Sequence, residues 1–291
     1  ALACSSTPST MGAGGQGGYA TRRVPLPRNP SPSPAALTLA AALLFAIPAT
    51  LQAQMAPPPP KSATALAIEQ ALASEIRTPE ERARDARERK PVQTLEFFGL
   101  KPDMTVVELL PGAGWYSKIL GQVLADKGRF YVAIGADRLA PRFKEWKLDK
   151  VMVAPAKVDL KPSGQFGVFQ SDAVELGVKD ADMVLTFRNY HNMTPATRAL
   201  LNKAAFDALK PGGVYGIVDH TRRHMDPGSS ETWRRVDPVL VIKEVQAAGF
   251  VFEDFSDLHY RADDELRYDS TRPSLGGYSD RFTLRFRKPA R

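Results

Sequence analysis

Residues 104–117 read Met-Thr-Val-Val-Glu-Leu-Leu-Pro-Gly-Ala-Gly-Trp-Tyr-Ser. Val106 to Leu110 are apolar apart from Glu108; Pro111-Gly112-Ala113-Gly114 then breaks the run, and a helix-like pattern follows. That order predicts a buried strand, a tight glycine turn and a helix N-terminus. Glycine has no Cβ and accepts positive φ, so a ligand can approach the backbone closely at such a turn. The helix start adds unpaired N–H groups that face the ligand. An ordinary strand–helix turn carries the same signature, so the rest of the chain has to decide.

Downstream, Trp115 to Ala125 has helical spacing and ends at Lys127-Gly128, and Arg129 to Ile134 reads as a second strand. A strand–helix–strand unit of this length implies a parallel sheet with a right-handed crossover. Nucleoside ligands of such sheets sit at the carboxyl ends of the strands, where an acid commonly takes the ribose hydroxyls. Asp137 is the nearest acid after the second strand but comes about three residues late, so a turn or N-cap role is the alternative. Residues 138–165 show no readable pattern. Phe166 to Gln170 reads as a third strand, followed by Ser171-Asp172-Ala173, and Asp182 to Phe187 as a fourth. The fourth strand runs directly into Arg188-Asn189-Tyr190-His191-Asn192, a dense polar cluster where this architecture places chemistry; a helix-capping loop is the plainer reading.

A helix is predicted from Thr194, with Pro195 at its first position, to Leu209. Lys210-Pro211-Gly212-Gly213 is a turn, and Val214 to Val218 a fifth strand ending in Asp219-His220. Asp237-Pro238 opens another helix, and Phe250–Phe255 and Phe282–Phe286 read as an antiparallel pair closing the sheet. Upstream, residues 64–75 have helical spacing, and Thr78-Pro79-Glu80-Glu81 starts a helix that ends near Lys90-Pro91.

The leader is the most apolar part of the chain. Residues 35–52 follow three arginines and no acid, and small residues with Ala53 as a cleavage position come after. This fits a secretory signal peptide; the run is short for a spanning helix and contains Pro48. Thr21 to Leu26 partly resembles a twin-arginine signal, with Pro25 where an aromatic is usual. The first Met is Met11, and residues 1–10 read as upstream sequence or a fragment edge. The expected organisation is a leader at 1–53, a stiff Pro-rich linker at 54–63 and one domain at 64–291, exported to the periplasm with no membrane attachment after leader cleavage.

The net charge of +7 includes the leader arginines; without them 36 basic residues face 32 acidic ones. Basic residues alternate with acids, as in Glu80-Glu81-Arg82-Ala83-Arg84-Asp85, which reads as a solvated helix face and argues against a nucleic-acid partner. Cys4 is the only cysteine, so no intramolecular disulfide forms. Oligomeric state is not readable from the sequence.

The acid-then-glycine turn at 108–114, Ser171-Asp172-Ala173, the strand from Asp182 and the Leu209-Lys-Pro-Gly-Gly213 turn occur in the order seen in class I S-adenosylmethionine-dependent methyltransferases, and Glu108 to Tyr116, Arg188 to His191 and Asp219-His220 match a narrower group within them. Over residues 75–289 the chain most closely resembles a group of bacterial methyltransferase-like proteins that carry a signal peptide. The resemblance implies a Rossmann-like α/β fold: a mostly parallel seven-stranded sheet, helices on both faces and an antiparallel last strand. It implies S-adenosylmethionine as cofactor, held by Glu108, Pro111, Gly112, Ala113, Gly114, Tyr116 and Arg188. Glu108 would anchor the loop and Asp172 would take the adenine amino group. Asp137 is left as the displaced ribose acid. Three departures stand out: Leu110 sits where the commoner loop has its first glycine, the ribose acid is missing or displaced to Asp137, and Arg234 replaces a histidine.

An imidazole, with an ordinary pKa of about 6.5, suits proton transfer. His191 is therefore the expected general base, with Tyr190, Asn189 and His220 orienting a small-molecule acceptor. Two other readings stay open. One is an exported protein that keeps the fold and binds a nucleoside or metabolite without catalysis. The other is a metal site built from His191, Asp219, His220 and His224; no metal is assigned.

Overall fold

The structure, a computed structural model, describes residues 60–290. The leader at 1–53 and linker residues 54–59 lie outside the described residues. Seven strands form the main sheet: β1 (Thr105–Leu109), β2 (Arg129–Ala133), β3 (Val151–Val153), β4 (Ala181–Phe187), β5 (Leu209–His220), β6 (Val251–Ser256) and β7 (Arg281–Arg287). Their order across the sheet is β6-β7-β5-β4-β1-β2-β3. β1 pairs in parallel with β2 and β4, β4 with β5, and β2 with β3; β7 is antiparallel to both β5 and β6. This is the expected seven-stranded, mostly parallel sheet with an antiparallel last strand.

The strands alternate their apolar residues between two cores, as a sheet covered on both faces requires. Val106, Met183, Leu185 and Val218 pack with Leu95, Phe98, Ile119 and Leu120 on one face. Val107, Leu109, Val184 and Ile217 pack with Leu201, Ala205, Val241 and Val245 on the other. Fully burying one such side chain contributes about 1.5–3 kcal/mol. The first face carries α1 (Ala63–Ala73), α3 (Pro91–Phe97) and α4 (Ser117–Val123); the second carries α6 (Pro195–Ala208) and α7 (Pro238–Ala247). The helix starts follow local chemistry. Thr194 accepts a hydrogen bond from Thr197 N–H ahead of Pro195, and Asp237 accepts one from Val239 N–H ahead of Pro238.

Two expectations are corrected. The helix expected from Thr78 to Lys90 is α2 (Pro79–Ala83), closed by a Thr78–Glu81 capping box, then a separate π turn at Asp85–Arg89. The wider turn carries Glu88 and Arg89 into the interior, and Lys90 at φ 39° redirects the chain into α3. The third strand of the sheet is not Phe166–Gln170 but Val151–Val153, preceded by a helix α5 (Ala140–Glu145) in the stretch that showed no pattern. Three residues at the sheet edge, only partly buried, give too short a signal to read. Phe169–Gln170 instead pairs with Lys161–Pro162 in a separate hairpin, which joins the segment entering α6 through a Phe169–Met193 bridge. Among the described residues no helix is long and apolar enough to cross a membrane.

Candidate functional site

The parallel strands β1, β2, β4 and β5 end at one edge of the sheet. Neighbours β1 and β4 lead to opposite sides of it, so a crevice opens between them. Three of these strands leave the sheet through a left-handed residue other than glycine: Leu110 at φ 54°, Ile134 at 63° and Arg188 at 60°. Each costs on the order of 1 kcal/mol, and such strain collects where a backbone must be aimed at a ligand. The hydrogen bonds continue one residue past the strands before the turn: Leu110 N–H donates to Ala133 O and Arg188 N–H to Val218 O. Leu110 thus adopts the backbone conformation that glycine takes more cheaply.

Above β1 the turn exposes Gly112 and Ala113. Gly112 has φ 59°, and a Cβ there would meet nothing within 4 Å, so the space over the turn is open. Gly114, at φ 80°, is closed in: a Cβ would come 2.9 Å from the Trp146 ring. Glu108 is buried beneath the turn and accepts a 2.6 Å hydrogen bond from Ser117 Oγ, tying the start of α4 to β1. Asn189 spans the crevice, its Nδ2 donating to Leu110 O at 2.8 Å and to Phe187 O at 3.0 Å. An exposed glycine backbone, a helix start and an open space above them fit a nucleoside cofactor at this edge.

Not every residue expected to hold that cofactor points at open space. Pro111 is buried at the root of the turn. Tyr116 is also buried, its ring stacked on Phe187 at 3.6 Å between centroids, and its hydroxyl donates to Arg89 O. Asp137 is exposed in the turn that enters α5, the plainer role weighed for it. Asp172 is exposed between the two short ladders that follow β3.

Burial pushes the Glu108 carboxyl up to about 8, against the Ser117 hydrogen bond and the nearby Arg89 cation. An unfolded glutamate titrates near about 4.3. Between these values the folded chain holds a proton here that the unfolded chain has lost, so this group makes stability fall as pH rises. Glu108→Gln keeps an oxygen for Ser117 and removes the titration. Thermal melts should show the variant gaining on the wild type from about pH 5 to 8; parallel profiles would show that Glu108 titrates normally. The buried His259, held down to about 4, acts oppositely, losing stability as pH falls through its window. The comparison of variant with wild type cancels it.

The polar cluster after β4 divides. His191, in a single 3-10 turn (Tyr190–Asn192), places Nδ1 2.7 Å from Asp219 Oδ1. Asp219, the penultimate residue of β5, is fully buried, and its carboxylate also accepts from His191 N–H at 2.9 Å and His220 N–H at 2.7 Å. With Nδ1–H donating to Asp219, His191 Nε2 carries the lone pair. The His220 ring lies 5.5 Å from that of His191 and pairs with Ser279 Oγ. Burial, with Arg281 and the other cations around it, holds His220 well below the usual imidazole range, so it is neutral near pH 7.

Tyr190 is a correction. It is fully enclosed, its hydroxyl donating to Glu244 at 2.9 Å and accepting from Asn202 at 2.8 Å. That hydroxyl is not free to orient a substrate; it braces α6 and α7 behind His191. His224 also stands apart, paired with Asp237 at 2.9 Å. Among the described residues no three metal-ligating side chains are grouped to hold an ion.

His191 lines two cavities. One, of about 800 Å³, is enclosed by Phe166, Met193, Trp233, Val236 and Leu240 with Arg198, Arg222 and Arg235. The other, of about 400 Å³, holds Arg84, Arg188, Arg234 and Arg281 beside His220 and Asn192. The antiparallel β7 accounts for one of these arginines: its first residue, Arg281, pairs in register with His220, the last residue of β5. Arg84, Arg281 and the role of Asp219 as partner of His191 were missed in the sequence, where the Asp219-His220 pair was the only signal; Arg188 was expected on the cofactor, and Arg234 was noted only as a departure.

No protein-family model matches the chain, and no curated protein matches it in sequence. Solved structures resemble it at low identity. An S-adenosylmethionine-dependent methyltransferase from Aquifex aeolicus has a TM-score of 0.48 at 16% identity, over 78% of this chain and 99% of its own. The [4+2]-cyclase SpnF gives 0.47 at 14%, over 72% and 82%. Human N-acetylserotonin methyltransferase in complex with its cofactor gives 0.45 at 13%, over 78% and 57%. Values this low do not bear on activity; the strand order itself carries the fold.

Proposed function

We propose that the protein transfers a methyl group from S-adenosylmethionine to a small-molecule acceptor, with His191 as general base. The observation that carries the reading is the His191–Asp219 pair, set at the same sheet edge as the open Pro111–Gly114 turn. In this reading Gly112 and Ala113 hold the cofactor from below, Glu108 fixes the turn through Ser117, and Asn189 ties the turn to the end of β4. Bound, the cofactor supplies an activated methyl group. The chain's part is to align the acceptor and take its proton. Asp219 fixes the His191 ring and leaves Nε2 as the acceptor of that proton. Trp233, with its ring 6.2 Å from that of His191, gives the acceptor an apolar wall. The leader at residues 1–53 adds export to the periplasm to the proposal.

The test is incubation of the full chain with methyl-labelled S-adenosylmethionine and a panel of small acceptors, neutral and anionic. Label transfer that requires His191 supports the reading. Cofactor binding without transfer to any of them favours the non-catalytic exported binding protein instead. The displaced ribose acid and the strained Leu110 are the features that speak for that alternative.

A further inference from the structure

We propose that the 400 Å³ cavity beside His191 binds an oxyanion, a phosphate or carboxylate, carried by the methyl acceptor. This rests on the methyl-transfer reading and names the class of its substrate. Four guanidiniums line the cavity, and no carboxylate does. Their counter-charges are few. Glu88 alone serves Arg84 at 3.0 Å, Arg87 at 2.6 Å and Arg281 at 3.7 Å. Asp269 holds Arg234 at 2.7 Å. Arg188 is half-buried, with its Nε enclosed and unpartnered; Arg281 Nε is likewise enclosed without a partner, while its terminal nitrogens donate to Glu88 O at 2.7 Å and Gly277 O at 2.9 Å.

A guanidinium N–H enclosed without a partner is costly, and an anion that accepts its hydrogen bond removes the cost. Burial and the Arg281 and Arg84 cations hold Arg188 down to about 10, which still leaves it charged at neutral pH. His220 is neutral there for the same reasons, so it adds a hydrogen-bonding edge and no further charge. Planar guanidiniums match phosphate and carboxylate oxygens in pairs, and the buried Ser270 Oγ, which has no partner, adds a hydroxyl.

The cofactor's own carboxylate is the other source of this chemistry. The cavity's lining contains no residue of the 110–117 turn or of the Ile134–Asp137 turn, and it includes Ser270, Thr271 and Gly277 of the segment between β6 and β7. That placement favours the acceptor. An anion held here would set the rest of the acceptor against His191.

Calorimetry of the full chain with inorganic phosphate, at ionic strength held constant with sodium chloride, tests the proposal. Acetate and S-adenosylhomocysteine are titrated in parallel. The variants are Arg188→Gln and, at the more exposed rim, Arg234→Gln, which is less exposed to folding failure; thermal melts check both. Phosphate affinity should fall about tenfold or more in each variant, while S-adenosylhomocysteine affinity stays within about twofold in Arg234→Gln. Tighter phosphate than acetate assigns a phosphate ester, and the reverse a carboxylate; either supports the pocket. Binding of neither anion, or equal binding in wild type and both variants, overturns it. An equal loss for S-adenosylhomocysteine gives the arginines to the cofactor and overturns the acceptor assignment. Arg188-dependent phosphate binding in a protein that binds no S-adenosylhomocysteine keeps the anion pocket and removes the methyl-transfer reading.

Discussion

His191→Ala lowers methyl transfer by about 10²–10⁴-fold, the usual worth of a positioned general base, and leaves S-adenosylhomocysteine affinity nearly unchanged. The loss is expected in kcat, because the imidazole acts on the proton that leaves and does not sit under the cofactor. Asp219→Asn separates positioning from chemistry. Three donors converge on the Asp219 carboxylate: Nδ1–H of His191 and the N–H groups of His191 and His220. An amide in its place cannot accept from all three, so the His191 ring loses its tautomer or its orientation, and kcat falls while the imidazole remains. A pH–rate profile reads the difference: the alanine variant loses the fall in rate on the acid side that protonation of the base causes, and the asparagine variant keeps a shifted one. Unchanged turnover in His191→Ala would remove it as the base.

Asp264→Ala destabilises the fold by about 3–5 kcal/mol, the cost of leaving a buried charge unpaired. Arg235 and Asp264 form the most enclosed ion pair described, with side chains 0% and 2% exposed at 2.9 Å. Arg235 also donates to Tyr268 O at 2.7 Å and Thr221 O at 3.0 Å, while Asp264 accepts from Leu266 N–H and Asp280 N–H. One pair therefore pins the long segment between β6 and β7 to the end of β5. That segment carries Ser270, Ser279 and the approach to Arg281, so the basic cavity loosens with it. A fall in Tm of roughly 10 °C is expected for a domain of this size. The double variant Arg235→Met with Asp264→Leu removes both charges and should recover most of the loss. A small effect of the single variant would mean that water reaches Arg235.

The sequence carried the sheet's frame because its signals are local. Val106–Leu110 with its glycine turn, Pro195 behind Thr194 and Pro238 behind Asp237 each mark an element from within a few residues. Val151–Val153 did not read as a strand because three residues at an edge leave too little periodicity. His191 was legible because it follows a buried strand directly. Its partner Asp219 lies 28 residues on and meets it only through the pairing of β4 with β5. The basic cavity was invisible for the same reason. Arg84 was read with its acidic neighbours as a solvated face, yet the π turn and β7 bring it to Arg188 and Arg281. Tyr190 misled because its polar neighbours share a segment but not a direction: its hydroxyl is spent on Glu244 and Asn202.

The most direct measurement is calorimetric titration of the full chain with S-adenosylmethionine and S-adenosylhomocysteine, beside the variant Gly112→Arg. Gly112 stands exposed at φ 59° over the open space above β1, so an arginine there both strains the turn and fills that space. Micromolar binding by the wild type that the variant loses, with the fold intact by thermal melting, is the expected result. A folded wild type that binds neither compound would contradict the methyl-transfer reading at its root.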